Sequence, residues 1–201
     1  MRVLLTGFGT FMTKDGAPVL DNVTQRIIFD VLRSWRRADC QIWVSVLPVE
    51  WRAAENILVK TLEMLPFDLA VFMGHAKGYK SLTLEARYFN KAGRADEIGK
   101  ILPSGTIKSG GADFYDSNIQ YLPYLTKYLN GAGIPAVVHA GPEGMDFLCN
   151  LPGYLTACYL ATHGLETPKY LVIHVPDPND LPYEISLRGI RQTIQFLSNP
   201  L

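Results

Sequence analysis

Residues 68–74 read Asp-Leu-Ala-Val-Phe-Met-Gly, and this stretch decides the fold class of the 201-residue chain. Five apolar residues, Leu69 to Met73, follow one another without a polar interruption. A short apolar run of this kind is typical of a β-strand that is buried on both faces. Gly74 then ends the strand, because glycine favours a turn. A strand with no face toward water predicts a parallel sheet that helices cover on both sides.

Similar apolar runs lie on both sides of this stretch in the chain. Residues 3–6, 135–140 and 170–175 are apolar almost throughout and predict further buried strands. Residues 41–49 are also strand-like. Residues 81–90 alternate between apolar and polar side chains, which predicts an extended segment with two different faces.

Between these strands lie segments whose apolar residues recur at helical spacing. Ile27, Ile28 and Val31, for example, follow the i, i+3, i+4 pattern. The predicted helices cover residues 22–37, 51–65, 116–129, 147–163 and 181–197, the third with Asp116 as its N-cap. Because strands alternate with helices, we expect one α/β domain over residues 1–201, a three-layer α/β/α sandwich with a mostly parallel central sheet.

The composition excludes several classes of protein. Nineteen basic and nineteen acidic residues give zero formal charge, so the chain lacks the positive field that favours nucleic acid or a membrane surface. Hydrophobic residues make up 48%, which argues against intrinsic disorder. No apolar run approaches the roughly 20 residues of a membrane-spanning helix, and the short apolar start does not resemble a signal peptide.

The three cysteines, Cys40, Cys149 and Cys158, form neither a disulfide framework nor a metal-binding pattern. We therefore expect a reducing, cytoplasmic compartment, and neither a metal nor a cofactor. Cys158 lies in the middle of a predicted helix on its apolar side, which favours a structural role. Cys40 lies between a helix and a strand without a basic neighbour and is expected to be inert.

Cys149 and His174 are candidates for chemistry because of where they lie. Ligands of parallel α/β sheets bind beyond the carboxyl ends of the strands, here residues 7–11, 74–80, 140–150 and 174–177. Cys149 follows a turn and enters a helix, where unpaired N–H groups favour a thiolate. A buried structural cysteine is the alternative interpretation, and its spacing alone leaves both open.

The histidines and the nearby carboxylate also permit two interpretations each. His174 ends a buried strand and acts either as a base or as a hydrogen-bond donor to the loop backbone, and His139 is similar one strand earlier. His75 follows Gly74 and is a candidate substrate contact. Glu85 alternates with apolar neighbours, so it is either a solvated residue or the carboxylate that orients a catalytic histidine.

Three separated segments together resemble pyroglutamyl peptidase I, the pyrrolidone-carboxylate peptidase family of cysteine peptidases. Residues 74–90 (GHAKGYKSLTLEARYFN) resemble its glutamate segment, residues 144–150 (GMDFLCN) its cysteine segment, and residues 172–176 (VIHVP) its histidine segment. Residues 5–11 (LTGFGTF) are similar to its N-terminal loop, and Asn22 matches the asparagine before its first helix. The segments occur in the family's order and cover essentially the whole chain.

The resemblance implies a thiol protease that removes N-terminal pyroglutamate through an acyl-enzyme. It makes Cys149 the nucleophile, His174 the base and Glu85 the residue that orients the imidazole. The residues that it places against the substrate are Phe8 and Phe11 on the two faces of the pyroglutamyl ring, with Asn22, His75 and Arg94, the last at the oxyanion. A peptide or small amide is the implied substrate, and a homo-oligomer stays open.

Several positions depart from the family pattern. Thr10 replaces the usual proline, the loop over residues 12–21 is longer, and His75 stands where glutamine or leucine is common. Residues 141–146 replace the usual approach to the cysteine, and Asp146 would oppose a thiolate if its carboxylate pointed inward. Two alternatives follow: a hydrolase of another small cyclic or N-acyl amide, or a catalytically silent binding protein with the same fold.

Overall fold

The computed structural model describes residues 1–12, 18–64 and 66–198. Six strands form its central sheet in the order β4-β1-β5-β10-β6-β9, and the pairs β2-β3 and β7-β8 form two separate two-stranded antiparallel sheets. The strands are β1 (Arg2–Phe8), β2 (Phe11–Met12), β3 (Pro18–Val19), β4 (Gln41–Leu47), β5 (Leu69–Ala76), β6 (Leu82–Glu85), β7 (Arg87–Phe89), β8 (Phe114–Asp116), β9 (Ala136–His139) and β10 (Lys169–Pro176).

Strand direction changes once across this sheet. β4, β1, β5 and β10 are parallel to one another, whereas β6 pairs with β10 in the antiparallel sense and β9 is parallel to β6. The prediction of a mostly parallel sheet is therefore confirmed. The sequence predicts that β9 ends at the same edge of the sheet as β5 and β10, and this prediction is wrong. β9 runs against β10, and its last residue, His139, lies level with Glu85 and Val172.

Helices cover both faces, which confirms the three-layer α/β/α prediction. The helices are α1 (Val23–Ser34), α2 (Trp51–Met64), α3 (Leu122–Gly131), α4 (Leu151–His163) and α5 (Tyr183–Ser198). Alternate strand residues point to opposite faces. Val3 and Leu5 accordingly pack in the core with α1, α3 and α5, while Leu4 packs in the core with α2 and α4.

The predicted helix over residues 116–129 is wrong in its first six residues. Asp116 does not cap a helix but ends β8, where its carboxylate accepts a 2.7 Å hydrogen bond from Arg87 Nε across the β7-β8 pair. The helix begins at Leu122 and places Pro123 in its first turn. Proline fits there because the first-turn N–H groups have no partner within the helix.

The segment that carries Cys149 is also less helical than predicted. Residues 147–150 form turns, and α4 begins at Leu151 with Asn150 as its N-cap. Cys149 therefore lies just before the helix instead of inside it. Among the described residues, no helix combines the length and the apolar character that a membrane crossing requires.

Candidate active site

Cys149 lies directly on the backbone of β5. A Cβ atom added to Gly74 would come within 2.5 Å of Cys149 Cβ and 3.3 Å of His174 Cδ2. No real side chain tolerates the first of these distances, so only glycine permits this approach of the cysteine to the strand. The Cys149 thiol contacts the Gly144 carbonyl oxygen at 3.7 Å. Gly74 thus brings the cysteine and the histidine side by side.

His174 is held from the opposite side by Glu85. The His174 Nδ1–H donates to Glu85 Oε1 at 2.7 Å, and the exposed fractions of the two residues are 3% and 1%. Nδ1 is thereby occupied, which leaves Nε2 for the thiol of Cys149. The interpretation of Glu85 as a solvated residue on a strand face is wrong. In space, His174 lies between Cys149 and Glu85, which is the arrangement of a nucleophile, a base and an orienting carboxylate.

The charge of His174 depends on both neighbours. Burial by itself lowers the pKa of His174, but the charge of Cys149 and its hydrogen bond, together with Glu85, raise that pKa overall to about 10. The raised pKa means that the imidazolium is strongly favoured when the thiol is ionised. A protonated His174 is therefore in place to stabilise negative charge on the neighbouring sulfur.

His139 contacts the same carboxylate, and the sequence reasoning did not assign it this partner. Its Nδ1–H donates to Glu85 Oε2 at 2.7 Å, so the Glu85 carboxylate lies between two imidazole rings. The pairing of β6 with β9 sets Glu85 opposite His139. This register is a property of the assembled sheet, and the sequence offers no local signal for it.

A narrow cavity of about 50 Å³ opens beside the thiol. It is lined by Cys149 and Gly74 together with Phe8, Phe11, Asn22, Val49, His75, Phe147 and Leu148. Three phenylalanine rings supply most of its apolar character, and none of the lining residues carries a fixed charge. The arrangement favours a small, flat, neutral group next to the sulfur. Phe8, Phe11, Asn22 and His75, all predicted substrate contacts, line this cavity.

Asn22 has a second role at the start of α1. Its Oδ1 accepts from Thr24 N at 3.0 Å and from Thr24 Oγ1 at 2.9 Å, while its Nδ2 donates to Gly9 O at 3.0 Å. Phe8 N in turn donates to Thr24 Oγ1 at 2.9 Å. The asparagine is a helix cap that also ties the phenylalanine loop to the helix.

His75 is fixed by an acidic residue at the end of β10. Its Nε2 lies 3.1 Å from Asp177 Oδ2, and both side chains are largely buried. The pKa of Asp177 is lowered, first by the backbone N–H of Asn179 and also by His75. The ring of His75 therefore has a defined orientation at the cavity wall.

Arg94 and Asp146 form an ion pair. Arg94 Nε lies 2.9 Å from Asp146 Oδ1, so the carboxylate that could have opposed a thiolate is paired with a guanidinium. Arg94 does not line the narrow cavity. It lines a larger neighbouring cavity of about 750 Å³, which shares Phe11, Val49 and Phe147 with the narrow one.

The remaining cysteines lie away from this site. Cys158 is buried in α4, and Lys108 Nζ donates to its sulfur at 3.2 Å. Cys40 is buried, and burial raises the pKa of its thiol. Within residues 1–12, 18–64 and 66–198, no group of three histidine, cysteine or acidic side chains is arranged to hold a metal ion. The lengthened loop predicted over residues 12–21 falls mainly on residues 13–17, outside the described residues.

Comparisons with known proteins agree on one family. A family model described as "Pyroglutamyl peptidase" matches residues 1–188. The pyrrolidone-carboxylate peptidase of Pyrococcus furiosus is 32% identical over 212 residues, covering 97% of each chain, and that of Staphylococcus aureus is 26% identical over 211 residues, covering 99% of this chain and 94% of the other. The crystal structure of a mutant pyrrolidone carboxyl peptidase from P. furiosus superposes with a TM-score of 0.86 at 29% identity over the whole of both chains.

Proposed function

The chain belongs to the pyroglutamyl peptidase family of cysteine-type peptidases, and on that premise we propose that it cleaves N-terminal pyroglutamate from peptides with a Cys149–His174–Glu85 triad. The observation that carries the proposal is the close packing of Cys149 against Gly74, next to His174. The Nδ1–H of His174 donates to Glu85 at 2.7 Å. These three groups have the connections that a nucleophile, a base and an orienting carboxylate need.

In the proposed reaction, His174 Nε2 takes the proton of the Cys149 thiol. The thiolate attacks the carbonyl carbon of the pyroglutamyl residue, and a C–S bond forms while the carbonyl oxygen becomes an oxyanion. When the oxyanion collapses, the C–N bond breaks and the imidazolium gives its proton to the leaving amine. Water then attacks the thioester, with His174 as its base, and releases free pyroglutamate and the thiol.

Glu85 makes both proton transfers easier. It fixes the imidazole with its proton on Nδ1, so that Nε2 faces the sulfur, and its negative charge stabilises the imidazolium that forms. The start of α4 at Leu151 directs backbone N–H groups toward the region of Cys149, which favours negative charge there. We assign the oxyanion to the backbone N–H of Cys149 with assistance from Arg94, and one such donor is commonly worth about 3 kcal/mol.

The narrow cavity supports pyroglutamate as the acyl group. The lactam ring of pyroglutamate is small, flat and uncharged. Such a ring suits a narrow cavity lined by Phe8, Phe11 and Phe147. A free N-terminal glutamate or a protonated amine would bring a charge to a site without a fixed counter-charge, at a desolvation cost. His75 supplies a polar group at the wall. The larger cavity beside it, open toward Arg94, is where we place the leaving peptide.

Turnover of a pyroglutamyl-coumarin reporter tests this function, with prolyl- and glutamyl-coumarin as matched controls. We expect release of coumarin from the first reporter alone, and no release by Cys149→Ala. Release from another acyl reporter with none from pyroglutamate would replace the substrate but keep the chemistry. No release from any of them by a folded protein would contradict the proposal.

Alkylation offers a second test that does not depend on the reporter. Iodoacetamide should inactivate the enzyme by modifying Cys149, and a pyroglutamyl peptide should slow that modification because it occupies the cavity beside the thiol. Cys40 and Cys158 are buried and should react more slowly. Peptide mass mapping identifies the modified residue, and modification that excludes Cys149 would contradict the assignment.

A further inference from the structure

Both oxygens of the buried Glu85 carboxylate have a histidine partner. Oε1 receives His174 Nδ1–H and Oε2 receives His139 Nδ1–H, each at 2.7 Å, and Glu85 is only 1% exposed. An ionised carboxylate has no proton to donate, so both rings carry their proton on Nδ1. The second bond is as short as the first, and charge-assisted bonds of this length are the strong ones.

The second partner matters because Glu85 is buried. A carboxylate removed from water is driven toward its protonated form unless donors satisfy its oxygens. His174 satisfies only Oε1. Without His139, Oε2 would be a buried acceptor without a donor, and the Glu85 carboxylate would lose the contact that holds it in line with His174.

His139 is anchored by the backbone as well as by its side chain. Ala86 N donates to His139 O at 2.7 Å, next to the pairing of Glu85 with His139 between β6 and β9. The ring therefore approaches Oε2 from a rigid strand. Its side chain is 29% exposed, so it closes the solvent side of a carboxylate that is otherwise enclosed.

We propose that His139 is a positioning residue of the catalytic centre, which holds the Glu85 carboxylate oriented toward His174. The inference rests on the proposed triad and extends it to Cys149–His174–Glu85–His139. His139 does not line the cavity beside the thiol, so it acts on the reaction through Glu85 and not on the substrate.

The charged groups around His139 are few. Glu85 faces its Nδ1, and Glu143 Oε2 lies 3.5 Å from its Nε2, with a side chain that is 78% exposed. Helix α3 also packs against β9, and its single charged residue, Lys127, lines a separate surface groove with Tyr124 and Tyr128. Of the two carboxylates that contact His139, only Glu85 is buried.

Three substitutions test the proposal by the position of the donor that they leave. His139→Leu removes the donor and keeps the approximate volume. His139→Asn places an amide N–H near the former Nδ1, whereas His139→Gln places it farther out, near the former Nε2. His163→Leu is the matched control, since His163 is an exposed histidine at the end of α4 whose Nδ1–H donates to Tyr159 O.

We expect His139→Leu to lower kcat on the pyroglutamyl reporter by roughly 5- to 100-fold, the range for a buried group that loses one donor, with KM within about twofold. The alkaline limb of kcat/KM should move to lower pH, because Glu85 is one of the groups that raise the pKa of His174 and a displaced carboxylate raises it less. His139→Asn should restore both the rate and the limb, and His139→Gln should not. His163→Leu should match the parent.

A folded His139→Leu with the kcat and pH profile of the parent would overturn the proposal. So would lower thermal stability in all three variants with an unmoved alkaline limb, since that is the signature of a purely structural residue. If His139→Leu does not fold, the difference between Asn and Gln decides, and equal profiles for these two overturn the proposal. Retained turnover by Cys149→Ala would instead contradict the proposed triad itself, so the two failures are distinguishable.

Discussion

The two parts of the central sheet contribute differently to the site. The parallel part, with β5 and β10, supplies Gly74 and His174 close to its carboxyl edge, and Cys149 lies against that edge. The reversed part, β6 and β9, supplies Glu85 and His139, which lie level with Val172, two residues before His174 on β10. The two parts meet at the line between β10 and β6.

The difference explains why the thiol is accessible and the carboxylate is not. A strand that runs against β10 ends deeper in the sheet, so Glu85 comes beneath the imidazole and is 1% exposed. Cys149 is only partly buried. In the proposed mechanism, the parallel part holds the groups that meet the substrate, and the reversed part holds the groups that set their charge. The predictions below test this division, from the largest expected effect to the smallest.

Loss of the nucleophile should have the largest effect. Cys149→Ala should lower kcat/KM on the pyroglutamyl reporter by about 10⁴-fold or more, because members of a catalytic unit fail together, and His174→Ala should be comparable. Cys158→Ser, within α4, serves as the control, and it should lower the thermal midpoint while it leaves kcat/KM near the parent value. Equal activity of Cys149→Ala and the parent enzyme would mean that the cysteine against the parallel part of the sheet is not the nucleophile.

Loss of the charge on the reversed part should be severe but smaller. Glu85→Gln keeps an oxygen that accepts from His174 but loses the charge that stabilises the imidazolium, so kcat should fall by about 10²- to 10⁴-fold. Steady-state kinetics on the same reporter measure it. Asp116→Asn, at the solvent-exposed pair with Arg87, is a control that should leave kcat unchanged. A Glu85→Gln enzyme as fast as the parent would mean that the reversed part has no catalytic role.

Gly74→Ala tests the close approach between β5 and the cysteine. The new Cβ would lie 2.5 Å from Cys149 Cβ, so the thiol must move, and a displacement near 1 Å commonly lowers the rate by about 10²-fold. Gly131→Ala is the matched control at the end of α3, where an added Cβ meets no atom within 4 Å. Similar kcat/KM values for both variants would show that the cysteine has room to shift without loss.

Phe11→Ala tests the apolar wall of the narrow cavity. Removal of the ring should take away contact worth about 1–3 kcal/mol, which corresponds to a loss of roughly 5- to 150-fold in kcat/KM. Phe114→Ala, at the partly exposed phenylalanine of β8, is the control and should stay near the parent value. If the two variants lose activity equally, the effect of Phe11 does not come from the site.

The pH profile should give the smallest effect, a displacement of one limb that is measured on whatever activity each enzyme retains. The pKa of His174 is raised to about 10, so the ring keeps its proton through neutral pH and loses it as the pH rises through 10. The alkaline limb of kcat/KM in the parent should lie there. Glu85→Gln removes one of the charges that raise this pKa, so its limb should lie at lower pH. If the alkaline limbs of the parent enzyme and of Glu85→Gln coincide, Glu85 on the reversed part does not set the pKa of His174 on the parallel part.

The sequence by itself determined the layers of the fold and the choice of the residues proposed to react. Apolar runs such as residues 68–74 reveal buried strands because burial on both faces leaves no polar position in a strand, and this pattern is local. The glutamate, cysteine and histidine segments are likewise contiguous in sequence and were recognised in order. The candidates Phe8, Phe11, Asn22 and His75 then all proved to line one cavity with Cys149.

The tertiary structure decided which of these groups touch and in which direction the strands run. The alternation of apolar and polar residues near Glu85 predicts an extended segment where β6 lies. The antiparallel direction of β6 against β10 depends on how distant segments pair, and no local pattern encodes it. The contact of His139 with Glu85 comes from the register between β6 and β9, and the pairing of Arg94 with Asp146 from the folding of two loops onto each other. Periodicity reports which face of an element is buried, whereas direction and register follow from the packing of the whole sheet.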